Sequence, residues 1–155
     1  MVNKAELADL IIINTCSVRQ ASEDRVFGLV HNWRELRETN PELLIVVTGC
    51  MPGRDKDGKT RKRLKDVDLF FSIEELLMLP QCIKGLRPNW DIAGAVSSDY
   101  LDILPKRTEK HRAFVTIQTG CNNFCTYCVV PYARGRERNR KVIDVLKEIS
   151  DAVAN

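Results

Sequence analysis

Apolar residues fall along this chain in two rhythms that alternate. Residues 8–14 carry the unbroken run Leu10-Ile11-Ile12-Ile13, short and rich in β-branched side chains, which predicts a buried strand. From 18 to 39 the spacing widens: Val26, Leu29, Val30, Trp33 and Leu36 share one helical face, and Asn40-Pro41 stops the helix. Residues 43–48 predict a second buried strand, 57–65 a charged helix and 67–71 a third strand. Ser72 and Glu75 stand at the spacing of a capping box, so a helix should begin there and run to about Leu79 or beyond. Continuous apolar strands alternating with helices predict an α/β fold with a parallel sheet covered on both faces.

The rhythm then lapses. Residues 86–112 contain Pro88, Gly94, Pro105 and paired serines without a period, and read as a linker. A fresh strand is predicted at 113–118, and an amphipathic helix from about Lys141 uses Val145 or Leu146, Ile149 and Val153. The expected division is therefore 1–85, a linker at 86–112, and 113–155. One strand, one loop and one helix cannot bury their own faces, so the last portion is expected to be the truncated start of a β/α barrel.

Composition narrows the class. The chain has 155 residues, 44% hydrophobic and 29% charged, which excludes disordered and low-complexity proteins. No apolar run approaches the roughly 20 residues that cross a bilayer, and the first residues lack an apolar leader, so the expectation is a cytoplasmic protein with no membrane partner. The net charge is +3, but residues 54–65 carry +5, 106–112 carry +3 and 134–141 carry +4. Such blocks suit a polyanionic partner such as RNA; they are equally ordinary as solvated surface.

Six cysteines in a chain of this kind point to metal or redox chemistry before disulfides. Cys121, Cys125 and Cys128 have the spacing C-x3-C-x2-C on one short loop. Three thiolates there suit three irons of a cubane iron–sulfur cluster, leaving the fourth iron open to the amino and carboxylate groups of S-adenosylmethionine. One electron from such a cluster cleaves the sulfonium and yields a 5′-deoxyadenosyl radical able to break an unactivated C–H bond. A structural zinc site wants four ligands, and neither His31 nor His111 stands at a paired-ligand spacing, although His111 lies ten residues upstream.

The stretch from Cys121 through Phe124, Tyr127 and Val129-Val130-Pro131-Tyr132 to Arg140 closely resembles the cluster loop of the radical S-adenosylmethionine methylthiotransferase family. Asn14-Thr15-Cys16-Ser17-Val18-Arg19 resembles the signature of that family's N-terminal domain, as does Thr48-Gly49-Cys50 followed by Val67-Asp68-Leu69. Within the family the loop looks most like the subgroup that modifies tRNA, with one departure at Ala133, where that subgroup usually has Thr. The resemblance implies methylthiolation of C2 of N(6)-isopentenyladenosine next to the tRNA anticodon, with a second S-adenosylmethionine giving the methyl group. It implies sulfur delivery through a second [4Fe-4S] cluster held by three cysteines, of which Cys16 and Cys50 match the second and third. The first would lie upstream of Met1, so that ligand set is expected to be incomplete and the chain an N-terminal fragment, inactive alone.

By the same resemblance Tyr127 lies against the adenine of S-adenosylmethionine, and Phe124 shields the cluster. Arg134, Arg136, Arg138 and Arg140 are candidates for tRNA phosphates, weighed evenly against ordinary basic residues at a helix start. Cys82 matches no ligand of the family and reads as a packing residue, and His31 as a surface residue. The sulfur and electron donors leave no mark in the sequence. Two other readings stay open: a methylthiotransferase acting on threonylcarbamoyladenosine tRNA or a ribosomal protein, and a non-catalytic iron–sulfur or zinc module that binds RNA.

Overall fold

The computed structural model describes residues 2–94, 99–107, 109 and 111–154. Three parallel strands, β1 (Leu10–Thr15), β2 (Leu44–Gly49) and β3 (Leu69–Ser72), lie in that order across one sheet. Ile11 sits opposite Ile45 and Thr15 opposite Gly49; on the other edge Val46 faces Leu69. β2 is buried along its whole length, with Ile45, Val46 and Val47 fully inaccessible. A strand covered on both faces must be apolar throughout, and each such side chain contributes about 1.5–3 kcal/mol.

Helix α1 (Gln20–Glu35) lays Val26 and Val30 on the sheet and joins Ile11, Ile45, Val47, Met51 and Val67 in the core. It passes into a 3-10 turn at Leu36–Glu38 before Asn40. The charged segment is shorter than its composition suggests: α3 spans only Lys59–Arg63, started by Asp55, whose carboxylate accepts the N–H groups of Thr60 and Arg61 at 2.9 and 2.8 Å. Before it lies a helix the apolar pattern does not announce, α2 (Cys50–Arg54). Arg54 reaches back to buried Glu23 on α1, with Nε donating at 2.7 Å, and ties the two helices together.

The capping box forms as expected. Ser72 donates its N–H to Glu75 at 2.8 Å, and the chain continues as a 3-10 turn (Ile73–Met78) into α4 (Leu79–Leu86), where Cys82 is half-buried. The segment that follows is irregular apart from a 3-10 turn at Tyr100–Asp102; residues 95–98, 108 and 110 of the expected linker lie outside the described residues.

The strand expected at 113–118 is corrected by the structure. Only β4 (Gln118–Thr119) forms, and it pairs antiparallel with β5 (Arg138–Asn139). A parallel strand needs a parallel neighbour to take its hydrogen bonds, and among the described residues none stands beside it; the cysteine loop instead folds back as a hairpin-like closure. Between β4 and β5 lies α5 (Val130–Arg134), and α6 (Val142–Ala154) ends the described chain. The apolar stripe predicted for α6 is present, but Leu146, Ile149 and Val153 are exposed, together with Val142 and Ile143. Among the described residues no helix is long and apolar enough to cross a membrane.

Candidate functional site

The carboxyl ends of β1 and β2 deliver two cysteines side by side. Thr15 is buried, and its hydroxyl donates to the Thr48 carbonyl at 2.7 Å while accepting the Met51 N–H at 3.0 Å. That one side chain ties β1 to β2 and to the first turn of α2. Gly49 closes β2 with φ of 103°, and a Cβ there would stand 2.5 Å from the Asn14 Oδ1 and 2.6 Å from the Thr15 carbonyl. The Asn-Thr-Cys and Thr-Gly-Cys signatures are thus one packed unit that sets Cys16, exposed, beside Cys50, 8% exposed. Ligand-binding residues of parallel α/β sheets characteristically occupy this end.

The second cysteine set is carried by the closure between β4 and β5. Gly120 has φ of 71°, and a Cβ on it would lie 2.1 Å from the Arg136 carbonyl, so the two ends of the loop touch backbone to backbone. Cys121 donates its N–H to the Gly135 carbonyl at 3.2 Å, and Glu137 donates its N–H to the Asn122 side chain at 3.2 Å. A turn brings the Cys128 N–H to the Cys125 carbonyl at 2.9 Å. Among the described residues Phe124 is the non-glycine residue with positive φ, 47°, and such strained positions collect at functional sites. Its ring stands edge-on to Tyr132 with the Arg136 guanidinium over it at 5.6 Å.

Cys121 and Cys128 are half-buried, Cys125 is exposed, and Tyr127 is 90% exposed. All six cysteines are free. Among the described residues no three Cys, His, Asp or Glu side chains converge on one point as a metal-binding group. The donor set nonetheless suits iron: three soft thiols lie on one loop whose ends are pinned. Thiolates of this kind select iron–sulfur clusters or zinc over hard cations.

A cavity of about 480 Å³ lies between the two sheet cysteines and the stem of the cysteine loop, with Cys121, Cys125 and Cys128 outside its lining. Cys16 and Cys50 line it on the sheet side; Thr119, Gly120, Ala133 and Arg134 line it on the loop side. The walls meet tightly, since a Cβ on Gly53 of α2 would come within 2.1 Å of the Ala133 carbonyl of α5. Arg134, half-buried, donates Nε–H to the Cys50 Sγ at 3.2 Å across this seam. Burial opposes its charge, but the hydrogen bonds and fields of Cys50 and Tyr100 outweigh it and hold the guanidinium pKa above its ordinary value. Spacing alone does not announce this contact, because the partners are separated by 84 positions.

The four candidate phosphate arginines divide. Arg140 is 6% exposed along its side chain and paired with buried Glu148 at 2.6 Å, so it is a core residue and not a phosphate contact. Arg107 donates to the same carboxylate at 3.0 Å. Arg138 is held by Asp99 at 2.6 Å and stands 3.8 Å from Glu74; the Asp99 hydrogen bond raises its pKa. The same contact, after the Leu101 N–H, holds Asp99 below its usual value. Arg134 faces Cys50, which leaves Arg136 beside Phe124 on the outer face of the loop. His31 is exposed on α1, as expected.

Comparison with known proteins follows the same two landmarks. Residues 1–72 match the model of the Uncharacterized protein family UPF0004. The chain is 41% identical over 153 residues to a protein of Desulforamulus reducens named tRNA-2-methylthio-N(6)-dimethylallyladenosine synthase, covering 96% of this chain and 34% of the relative. Proteins of the same name from Carboxydothermus hydrogenoformans and Clostridioides difficile are 43% and 42% identical, over 95% and 97% of this chain and 34% and 32% of theirs. The chain spans about a third of the length of these curated relatives.

Proposed function

We propose that this chain forms the sulfur-handling and radical-generating part of a radical S-adenosylmethionine tRNA methylthiotransferase. The modified atom would be C2 of N(6)-isopentenyladenosine beside the anticodon. The observation that carries this reading is the cavity with Cys16 and Cys50 on one wall and the start of the cysteine loop on the other. A cavity walled by two cysteines on the sheet side and by the stem of the cysteine loop on the other suits a reaction in which sulfur must meet a carbon radical. The relatives' names support tRNA as the substrate class.

In this reading Cys121, Cys125 and Cys128 hold one [4Fe-4S] cluster, and Cys16 with Cys50 contributes to a second. Held there, the first cluster would pass one electron from an outside donor to S-adenosylmethionine, the chemistry needed to open an unactivated C–H bond such as that at C2. The chain's own residues do the rest. The Gly120–Arg136 approach and the Cys121–Gly135 hydrogen bond fix where the loop begins and ends. Phe124 covers the loop's outer side beneath Arg136. Tyr127, next to Cys128 and exposed, would meet the adenine of S-adenosylmethionine. Thr15 and Gly49 hold the two sheet cysteines at one edge of the cavity. Residues 1–85 would be the sulfur-delivering domain, 86–112 the linker and 113–155 the radical portion, in a cytoplasmic enzyme supplied with electrons and sulfur from outside.

Anaerobic reconstitution with iron and sulfide tests this. The expected result is an iron–sulfur chromophore whose spectrum responds to S-adenosylmethionine, and reductive formation of 5′-deoxyadenosine. Cys121→Ala, Cys125→Ala and Cys128→Ala should each abolish the response. An unchanged spectrum in all three, or zinc retained in place of iron, overturns the assignment.

A further inference from the structure

We propose that Arg134 is a positioning residue that holds the Cys50 sulfur across the seam between the sheet and the cysteine loop. It thereby sets the relation between the two cysteine sites. The inference rests on the reading above that both sites serve one reaction, and it adds the side chain that joins them.

Three observations meet at this residue. Its Nε–H points at the Cys50 Sγ at 3.2 Å, so the sulfur has one directional donor from the opposite wall of the cavity. The guanidinium also lies in the field of Tyr100, whose hydroxyl donates to the Thr119 Oγ1. Thr119 stands two residues before Cys121 and one before Gly120, on β4. Arg134 therefore stands between the Cys50 sulfur and a tyrosine anchored on the strand that launches the loop. Finally, Arg134 ends α5, whose Ala133 carbonyl lies against Gly53 of α2, four residues from the end of β2. The helix carrying the arginine and the helix carrying the cysteine cannot slide apart without breaking both contacts.

The planar fork of arginine suits this work. It aims one N–H of a fixed plane at the Cys50 sulfur, a direction that a freely rotating lysine ammonium does not fix. A hydrogen bond to a sulfur that ligates a cluster also orients that ligand, as outer partners of metal ligands do generally.

The test uses the intact chain without any cluster, so it is independent of whether iron binds. Alkylation of Cys50 by iodoacetamide is followed by peptide mass spectrometry, with exposed Cys16 as the internal reference. The reaction is run at a pH of about 9.5, where ordinary thiols are largely ionised, so that loss of the arginine charge does not dominate the rate. Arg134→Met keeps the apolar stem and removes the donor; it should raise the Cys50 to Cys16 rate ratio about five-fold, the effect of one net hydrogen bond. Arg134→Lys should recover part of the protection, and Tyr100→Phe, which removes the hydroxyl that anchors the ring beside the guanidinium to Thr119, should raise the ratio by a smaller factor. Glu148→Gln perturbs α6 away from the seam and should leave the ratio at its starting value. A wild-type ratio in Arg134→Met overturns the proposal, as does an equal rise in Glu148→Gln, which would reduce the effect to general loosening. If iron reconstitution fails while the alkylation pattern holds, the functional reading falls and the positioning role stands.

Discussion

Gly49 sits where backbone conformation and space both exclude a side chain. Its φ of 103° is a region L-residues rarely adopt, and three atoms of Asn14 and Thr15 lie within 2.7 Å of the Cβ it lacks. The glycine of Thr-Gly-Cys is therefore required by packing, whatever the adjacent cysteine does. Gly49→Ala should cost more than about 3 kcal/mol, combining an unfavourable φ with a contact that only backbone movement relieves. Urea denaturation checks it: a midpoint within about 0.3 M of the parent would mean that β1 and β2 shift at little cost. The sequence signature identified Cys16 and Cys50 as neighbours through a resemblance, and the Thr15 hydroxyl shows physically how that neighbourhood is made. The Arg134 contact was not legible in the same way. Arginine near a helix start reads as surface charge, and nothing local marks one that turns inward to a sulfur on another element.

At the scale of elements, the three strands and α1 were legible because their apolar residues keep one period throughout, and the sheet built from them is parallel as that pattern requires. The Ser72–Glu75 box was legible because its chemistry is local. Short α2 and antiparallel β4 and β5 were not. Each is held by contacts to distant segments, α2 by Glu23 and Thr15, and β4 by β5. The α6 apolar stripe is exposed, as expected of a strand, loop and helix that cannot bury their own faces, since amphipathicity marks a face that needs cover without supplying the cover. What holds α6 is polar. Glu148 is 3% exposed and accepts from Arg140 at 2.6 Å and Arg107 at 3.0 Å, joining the helix to β5 and to the segment before the cysteine loop. Glu148→Gln leaves the Arg140 guanidinium, 6% exposed, without its counter-charge, and breaking a buried pair from one side typically costs about 3 kcal/mol. Hydrogen exchange should report it as lost protection across Val142–Ala154 with the β1–β3 amides little changed. Equal loss in both regions, or none in α6, would show that the triad does not anchor the helix.

For the whole molecule, relatives named tRNA-2-methylthio-N(6)-dimethylallyladenosine synthase are 41–43% identical over nearly all of this chain, which spans about a third of their length. The structure adds where enclosure is present and where it is not. The sheet end is built: Cys50 is covered, Thr15 is saturated and Gly49 is packed. The cysteine-loop side is open. Cys125 lies in solvent, Tyr127 is 90% exposed, and the α6 stripe of Val142, Ile143, Leu146, Ile149 and Val153 is uncovered among the described residues. A hydrogen-abstracting radical needs a site that excludes water and competing reductants, and a nucleobase must be taken out of its stack and held beside it. The expected outcome is a split between the early and late steps of the reaction. With reconstituted clusters, dithionite and S-adenosylmethionine, this 155-residue chain should form 5′-deoxyadenosine in a reaction that does not depend on added tRNA. Nucleoside mass spectrometry of isopentenylated tRNA from the same mixture should show no multiple-turnover methylthiolation. If the methylthiolated nucleoside accumulates over many turnovers, the exposed loop must close on its substrate, and the openness seen around Cys125 and Tyr127 belongs only to the tRNA-free state.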